Sequence, residues 1–219
     1  MDLQKRLLYR DGLILVVDKP AGINVHKGPK GGPALEDYFD QLQFGLPRKP
    51  ALAHRLDKDT SGCLALGRHP KALRRLGRIF AQGQAQKTYW AICKGVPEHA
   101  QGLIDLPLYK DKTGRVHKMR TGDHPRANPA QTEWKLLARK NGLSFVECQP
   151  LTGRTHQIRV HLALLGLPIL GDTLYGAASD SPMMLHARSL TLPLSKNKPP
   201  VEAVAEPPDE MAKLLAQFN

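Results

Sequence analysis

The chain has 219 residues, 41% of them apolar and 24% charged, and its 32 Lys and Arg against 20 Asp and Glu give a net charge of +12. That length can bury a sizeable core, and the composition excludes a collagen-like, coiled-coil or acidic disordered chain. No apolar run reaches the roughly 18 residues of a membrane helix, and Met1-Asp2-Leu3-Gln4-Lys5-Arg6 does not open a leader peptide, so a cytoplasmic protein is expected. The positive surplus favours a phosphate-bearing polymer as partner, because each neutralised phosphate releases condensed counterions.

In chain order, Leu13–Val17 reads as a strand closed by the turn Asp18-Lys19-Pro20-Ala21-Gly22. Pro33 opens a helix with Leu35, Tyr38, Phe39 and Leu42 on its apolar stripe. Ala51–Leu56 and Cys63–Leu66 read as strands on either side of a polar loop. Lys71–Gln82 is a helix: Leu73, Leu76, Ile79 and Phe80 face inward, Lys71, Arg74, Arg75 and Arg78 face outward, and Gly83 stops it. Lys87–Lys94 and Gly102–Leu108 are strands. The stretch Tyr109–Arg126 has no periodicity and holds six Lys and Arg against two acidic residues. Gln131–Ala138 and Leu143–Gln149 form a hairpin around Lys140-Asn141-Gly142, since Asn-Gly is a strong turn signal. Thr155–Leu165 is a helix, Pro168–Asp172 a turn, Met184–Leu194 one or two strands, and Asp209 caps a last helix.

Strands outnumber helices, and many neighbours are joined as hairpins. The fold class expected is α+β, a mixed and largely antiparallel central sheet with flanking helices. No Gly-x-Gly-x-x-Gly or phosphate-binding Gly-Lys-Ser/Thr loop is present, so neither ATP nor a dinucleotide is expected as cofactor. Cys63, Cys93 and Cys148 lie in strands without Cys-x-x-Cys spacing and read as buried, reduced thiols. His156 and His161 miss the i, i+4 spacing of a zinc helix, which argues against a metal.

The residues with chemistry cluster in two places. Ala53-His54-Arg55-Leu56-Asp57-Lys58-Asp59-Thr60-Ser61-Gly62 places one carboxylate among basic neighbours, and Gly153-Arg154-Thr155-His156-Gln157-Ile158-Arg159 answers it about a hundred residues later. Asp57 suits a nucleophile or base, or equally the cap of a turn before Gly62. A buried carboxylate needs an ionic partner to stay charged, and either Arg154 or Arg159 suits that task through its fork of donors.

The residues His54-Arg55-Leu56-Asp57 and Asp59-Thr60-Ser61-Gly62 resemble the catalytic motif of the RluA-type pseudouridine synthases. Asp18-Lys19-Pro20-Ala21-Gly22, Lys87-Thr88-Tyr89, Gly153–Arg159, Pro168-Ile169-Leu170-Gly171-Asp172 and Leu185-His186-Ala187 resemble the family's other segments, in order, from about residue 13 to about residue 195. The resemblance implies a cofactor-free, metal-free isomerisation of uridine to pseudouridine in RNA. Asp57 would be the essential carboxylate, attacking C1′, attacking C6 or taking a ribose proton. Tyr89 would lie against the uracil and Arg154 would pair with Asp57. Arg55 would fill the space left by a flipped base or clamp a phosphate, both side chains pointing one way if they end a strand. His54 suits a buried imidazole or a substrate contact. Leu185 would wall the target base. Lys71, Arg74, Arg75 and Arg78, with Arg115, Lys118 and Arg120, would track the RNA backbone.

Only seventeen residues precede Asp18, too few for the S4-type module of many relatives, so one catalytic domain over 1–219 is expected. The resemblance is to the short subgroup, acting as a monomer on a hairpin loop of tRNA, of 23S-type large-subunit rRNA, or of both. Two other readings remain at this stage. One is an RNA-binding protein that kept the scaffold without catalysis. The other is a carboxylate glycosidase, which would need a second acid near the first.

Overall fold

In the computed structural model of the chain, residues 1–28, 31–113, 118–176 and 180–218 are described. They form two compact units, one of residues 1–87 and 187–208, the other of residues 88–186 and 209–219. No described helix is long and apolar enough to cross a membrane.

The first unit is built on β1 (Leu7–Arg10), β2 (Ile14–Lys19) and β4 (Ser61–Gly67), in that spatial order, with β3 (Ala51–Leu52) also on β4. β2 and β4 are antiparallel, from Ile14 opposite Gly67 to Lys19 opposite Gly62. Every residue of β4 is buried, and only Asp18 in β2 is partly exposed. That is why Leu13–Val17 reads as a continuous apolar run rather than an alternation: a central strand is covered on both faces. The strand β11 (Leu185–Leu192) lies next to β4 and pairs with β12 (Val201–Val204), which sequence periodicity did not single out. Helix α1 (Pro70–Ala81) begins one residue before the expected start, with Pro70 in its first turn and His69 Nδ1 accepting from Ala72 N–H at 3.2 Å. It buries Leu76 and Ile79 against Ile14, Val16, Cys63, Ala65, Leu190 and Leu192. The expected helix after Pro33 is a 3-10 helix over Leu35–Leu42, burying Leu35, Phe39 and Leu42.

The second unit orders β5 (Gln86–Lys94), β10 (Leu143–Pro150), β9 (Gln131–Lys140) and β6 (Gln101–Asp105) side by side. Each of these ladders is antiparallel. Lys140 pairs with Leu143 across Asn141 (φ 52°) and Gly142 (φ 74°), so the Asn-Gly turn has the two left-handed residues that match strand twist. Helices α2 (Gln157–Leu164) and α3 (Asp209–Leu215) pack Ile158, Leu162 and Met211 into a core with Ile92, Trp134, Val146 and Leu185.

Two expectations are corrected. The segment Tyr109–Arg126 is not structureless: β7 (Leu108–Asp111) pairs with β8 (Lys118–Thr121). Strands of four residues are too short to register as a period. The expected strand Ala51–Leu56 stops at Leu52, because the chain beyond it enters the Asp57 loop.

Cys63, Cys93 and Cys148 are free and buried. Burial pushes the Cys63 thiol up to about 12 and raises Cys93 and Cys148 further.

Gly62 has φ 106°, and a Cβ there would overlap the carbonyl oxygen of Ala187 in β11. Both strain and collision forbid a side chain. Gly62→Ala should therefore cost about 2–4 kcal/mol of unfolding free energy in urea titrations. An unchanged midpoint would mean that β11 does not close on β4 there.

Candidate active site

The Asp57 loop in the first unit is organised by a lysine that sequence reasoning placed in a turn. Lys19, the last residue of β2, is fully buried. Its ammonium donates to the carbonyl oxygens of Pro20 at 2.8 Å, Lys58 at 2.9 Å and Thr60 at 2.8 Å. Three N–H groups meet three acceptors, which is what a buried ammonium requires. Gly22 N–H also donates to Lys58 O at 3.0 Å, and Thr60 N–H to Asp57 O at 3.3 Å. The turn Asp57–Thr60 is thereby bound to Asp18–Gly22. Asp18 itself accepts from Arg6 at 3.0 Å. Burial pushes the Lys19 amine down to about 8, opposed by the charges of Asp59, Asp57 and Asp18.

Asp57 is half-buried, between buried Leu56 and exposed Lys58. Arg55 is exposed and lies in the loop beyond β3, not at a strand end, so the alternation argument for its direction does not hold. His54 is committed to the protein. Its Nε2 accepts from Ala65 N–H at 2.9 Å, its ring is hydrogen-bonded to the Arg55 backbone, and it stacks on Phe80 with centroids 4.4 Å apart. Burial, then the charge of Lys87, pushes the imidazole down to about 3, so it is neutral at physiological pH. Lys71, Arg74, Arg75 and Arg78 are all exposed on α1.

In the second unit, Tyr89 on β5 is half-buried, pairs across the ladder with Cys148 and packs against the core. Leu185 is buried in the same core. Arg154 is exposed, and its Nε donates to Pro129 O at 2.9 Å. Arg159, the other candidate partner of Asp57, is instead buried against Asp172, with Nε to Oδ2 at 2.7 Å and a second bond of 2.8 Å to Oδ1. That two-pronged pair, with backbone donors from Leu174 and Tyr175, holds the Asp172 carboxyl below its ordinary range despite burial.

The Arg154 loop is held by Gln157. Its Oε1 accepts from Thr152 Oγ1 at 2.7 Å and from Arg154 N–H at 3.0 Å, while its Nε2 donates to Gln131 O at 2.8 Å and Thr132 Oγ1 at 2.9 Å. His161, fully buried, contacts Thr132 Oγ1 at 2.9 Å and Leu106 O at 3.1 Å. His156 stands just before α2 with φ 52° and meets the Tyr175 hydroxyl at 2.8 Å. Its left-handed backbone delays the helix to Gln157, two residues after the expected start. The same hydroxyl accepts from Met119 N–H on β8 at 2.9 Å.

Of the basic residues expected on the hairpin, Lys118 is not free for RNA: it is half-buried and donates to Leu174 O at 2.8 Å. Arg120 is exposed and pairs with Asp111 at 2.6 Å. Arg115 lies outside the described residues.

The chain matches a known family in sequence and in fold. The model for RNA pseudouridylate synthases matches residues 13–164, and the chain belongs to that family. A protein of Zymomonas mobilis named as an uncharacterized RNA pseudouridine synthase is 48% identical over 90% of this chain and 91% of its own. The ribosomal large subunit pseudouridine synthase D of Borreliella burgdorferi is 34% identical over 87% of this chain and 62% of its own. The solved structure of human RNA pseudouridylate synthase domain containing 4 superposes with a TM-score of 0.83 at 28% identity, covering 99% of this chain and 94% of that one. The chain is therefore an RNA-directed isomerase with the α+β sheet expected of it.

Lys87, two residues before Tyr89, is half-buried, and burial pushes its amine down to about 8. A lysine whose amine is lowered on folding carries a penalty while charged, and that penalty is relieved as pH rises from about 8 towards the unfolded value near 10.5. The stability of wild type relative to Lys87→Gln should thus increase between about pH 8 and pH 10. A difference in urea midpoint that stays constant with pH would contradict the burial of this charge.

Proposed function

We propose that the chain isomerises a uridine in a hairpin loop of large-subunit rRNA, of tRNA, or of both, with Asp57 as the essential carboxylate. The bond from C1′ to N1 breaks, the uracil turns, C1′ joins C5, the C5 proton leaves to solvent, and the freed N1 takes up a proton, so that the product is an isomer of the substrate. Tyr89 serves as the aromatic contact of the uracil and Arg154 as the guanidinium of the same reaction. The full span 1–219 acts as one catalytic domain, monomeric and cytoplasmic, without metal or cofactor.

The observation that carries this reading is the Lys19 knot. It fixes the backbone on the C-terminal side of Asp57 through the Lys58 and Thr60 carbonyls, and Asp57 as a residue is half-buried rather than sealed. Preorganised backbone and a partly accessible acid are what covalent or acid–base work requires. The rRNA arm gains support from the Borreliella relative's name, which specifies the large ribosomal subunit.

A stacked uridine cannot reach a carboxylate in a folded protein, so the target base leaves its stack at a cost of a few kcal/mol. Exposed Arg55 is suited to replace it or to hold the adjacent phosphate, and Leu185 to line the uracil site. The face of Lys71, Arg74, Arg75 and Arg78, with Arg120, supplies the backbone track.

Asp57→Asn should lower tritium release from C5-labelled uridine RNA by about 10²–10⁴-fold or more while RNA binding persists. Turnover retained in that variant would remove Asp57 from the chemistry. Neutralising Arg74 and Arg75 together should reduce the slope of log affinity against log salt by about 2. A slope equal to wild type would exclude that helix face from the footprint.

A further inference from the structure

The β7–β8 ribbon carries more than charge. Its register sets Leu108 opposite Thr121, Tyr109 opposite Arg120, Lys110 opposite Met119 and Asp111 opposite Lys118. Opposed residues of an antiparallel pair share a face, and faces alternate along each strand. One face therefore holds Leu108, Lys110, Met119 and Thr121, and its Leu108 and Met119 pack with Val160 of α2. The other holds Tyr109, Asp111, Lys118 and Arg120.

On this second face the Tyr109 ring lies flat on the imidazole of His124, with centroids 4.2 Å apart and planes inclined by 6°. Gly122, at φ 136°, turns the chain after β8 so that His124 returns over Tyr109. The His124 ring is held in place: Nδ1 accepts from Arg126 N–H at 3.0 Å, which assigns the ring proton to Nε2 in the neutral imidazole. Both rings are half-buried rather than enclosed, and Lys112, Arg120 and Arg126, near them in the chain, are exposed. A flat pair held by a turn at a partly open, cationic surface matches the way single-stranded nucleic acid is bound: bases stack on ring faces while cations follow the phosphates.

We propose that the Tyr109–His124 pair is a stacking platform for an unpaired base of the RNA, with Arg120 and Arg126 beside it for phosphates. The proposal rests on the RNA-modifying reading and adds to it a base contact on the hairpin. The platform needs only a ring face from its occupant, so it is tolerant of base identity and contributes affinity rather than sequence choice.

The experiment is equilibrium binding of the full chain to a uridine-rich hairpin-loop RNA across a salt series, with one loop base replaced by 2-aminopurine. His124→Phe keeps a ring but loses the acceptor for Arg126 N–H. His124→Asn keeps an acceptor but loses the ring. Stacking is largely independent of salt, so His124→Asn should weaken binding about tenfold at every salt concentration with an unchanged slope. His124→Phe should stay within about twofold of wild type. Arg120→Ala should lower the slope by about 1. The 2-aminopurine fluorescence should fall on binding wild type and His124→Phe, and not on binding His124→Asn.

If Asn preserves affinity and Phe loses it, the turn hydrogen bond is what matters and the platform is overturned. If neither changes affinity or fluorescence, RNA does not touch the rings and the proposal likewise fails. Should His124→Asn unfold, as judged by circular dichroism, Tyr109→Leu takes its place with the same expected loss. Pseudouridine assayed on the same RNA separates the two readings. Product with wild-type affinity in His124→Asn rejects the platform alone. A stacking effect with no product from wild type rejects the catalytic reading alone. No binding by wild type rejects both.

Discussion

The first unit depends on how one buried ammonium is satisfied. Lys19 ends β2 at the point where the β2–β4 ladder ends, and its three donors converge on carbonyls of Pro20, Lys58 and Thr60. A charge removed from water is costly unless every donor finds an acceptor, so these contacts are obligatory once β2 is buried. The strand that supplies core residues Ile14 and Val16 therefore also dictates where the residues after Asp57 run. Arginine is no substitute here. Its planar fork of donors cannot converge on three carbonyls around a point, whereas a tetrahedral ammonium can.

The second unit reaches the same end with neutral groups and one ion pair. Gln157 uses both ends of its amide to tie Thr152 and Arg154 to Gln131 and Thr132, and His161 extends that network to Leu106. Arg159 and Asp172 satisfy each other two-fold, and Asp172 then receives the backbone of Leu174 and Tyr175. Partly satisfied networks of this kind would be worse than an apolar core, while complete ones specify a single arrangement. Exposed Arg154 is thus carried on a loop whose backbone is fixed from beneath.

Periodicity made the large elements legible. Helix α1 and the β9–β10 hairpin were readable from an apolar stripe and an Asn-Gly turn, because local pattern and tertiary fold agree there. The short strands β1, β7, β8 and β12 were not, since four residues give too few alternations to distinguish a strand from a loop. Asp57, Tyr89 and Arg154 were singled out as candidates through ordered motifs. Lys19, Gln157 and Tyr175 were not assigned roles. Lys19 works through backbone groups, and Gln157 and Tyr175 partly do. A backbone carbonyl leaves no mark in a sequence. That Arg159 is taken by Asp172 needed the fold as well, since only burial reveals that pair.

The cysteines have a practical consequence. Cys63, Cys93 and Cys148 sit in β4, β5 and β10 with their thiols held far from the thiolate form that reacts with maleimides or methanethiosulfonates. The native chain is thus a silent background for site-directed labelling. A single cysteine placed on the outer side of α1 could carry a spin label or fluorophore without removing any natural sulfur. Distances from such a probe to a labelled RNA would then report directly on how the polymer runs across the protein.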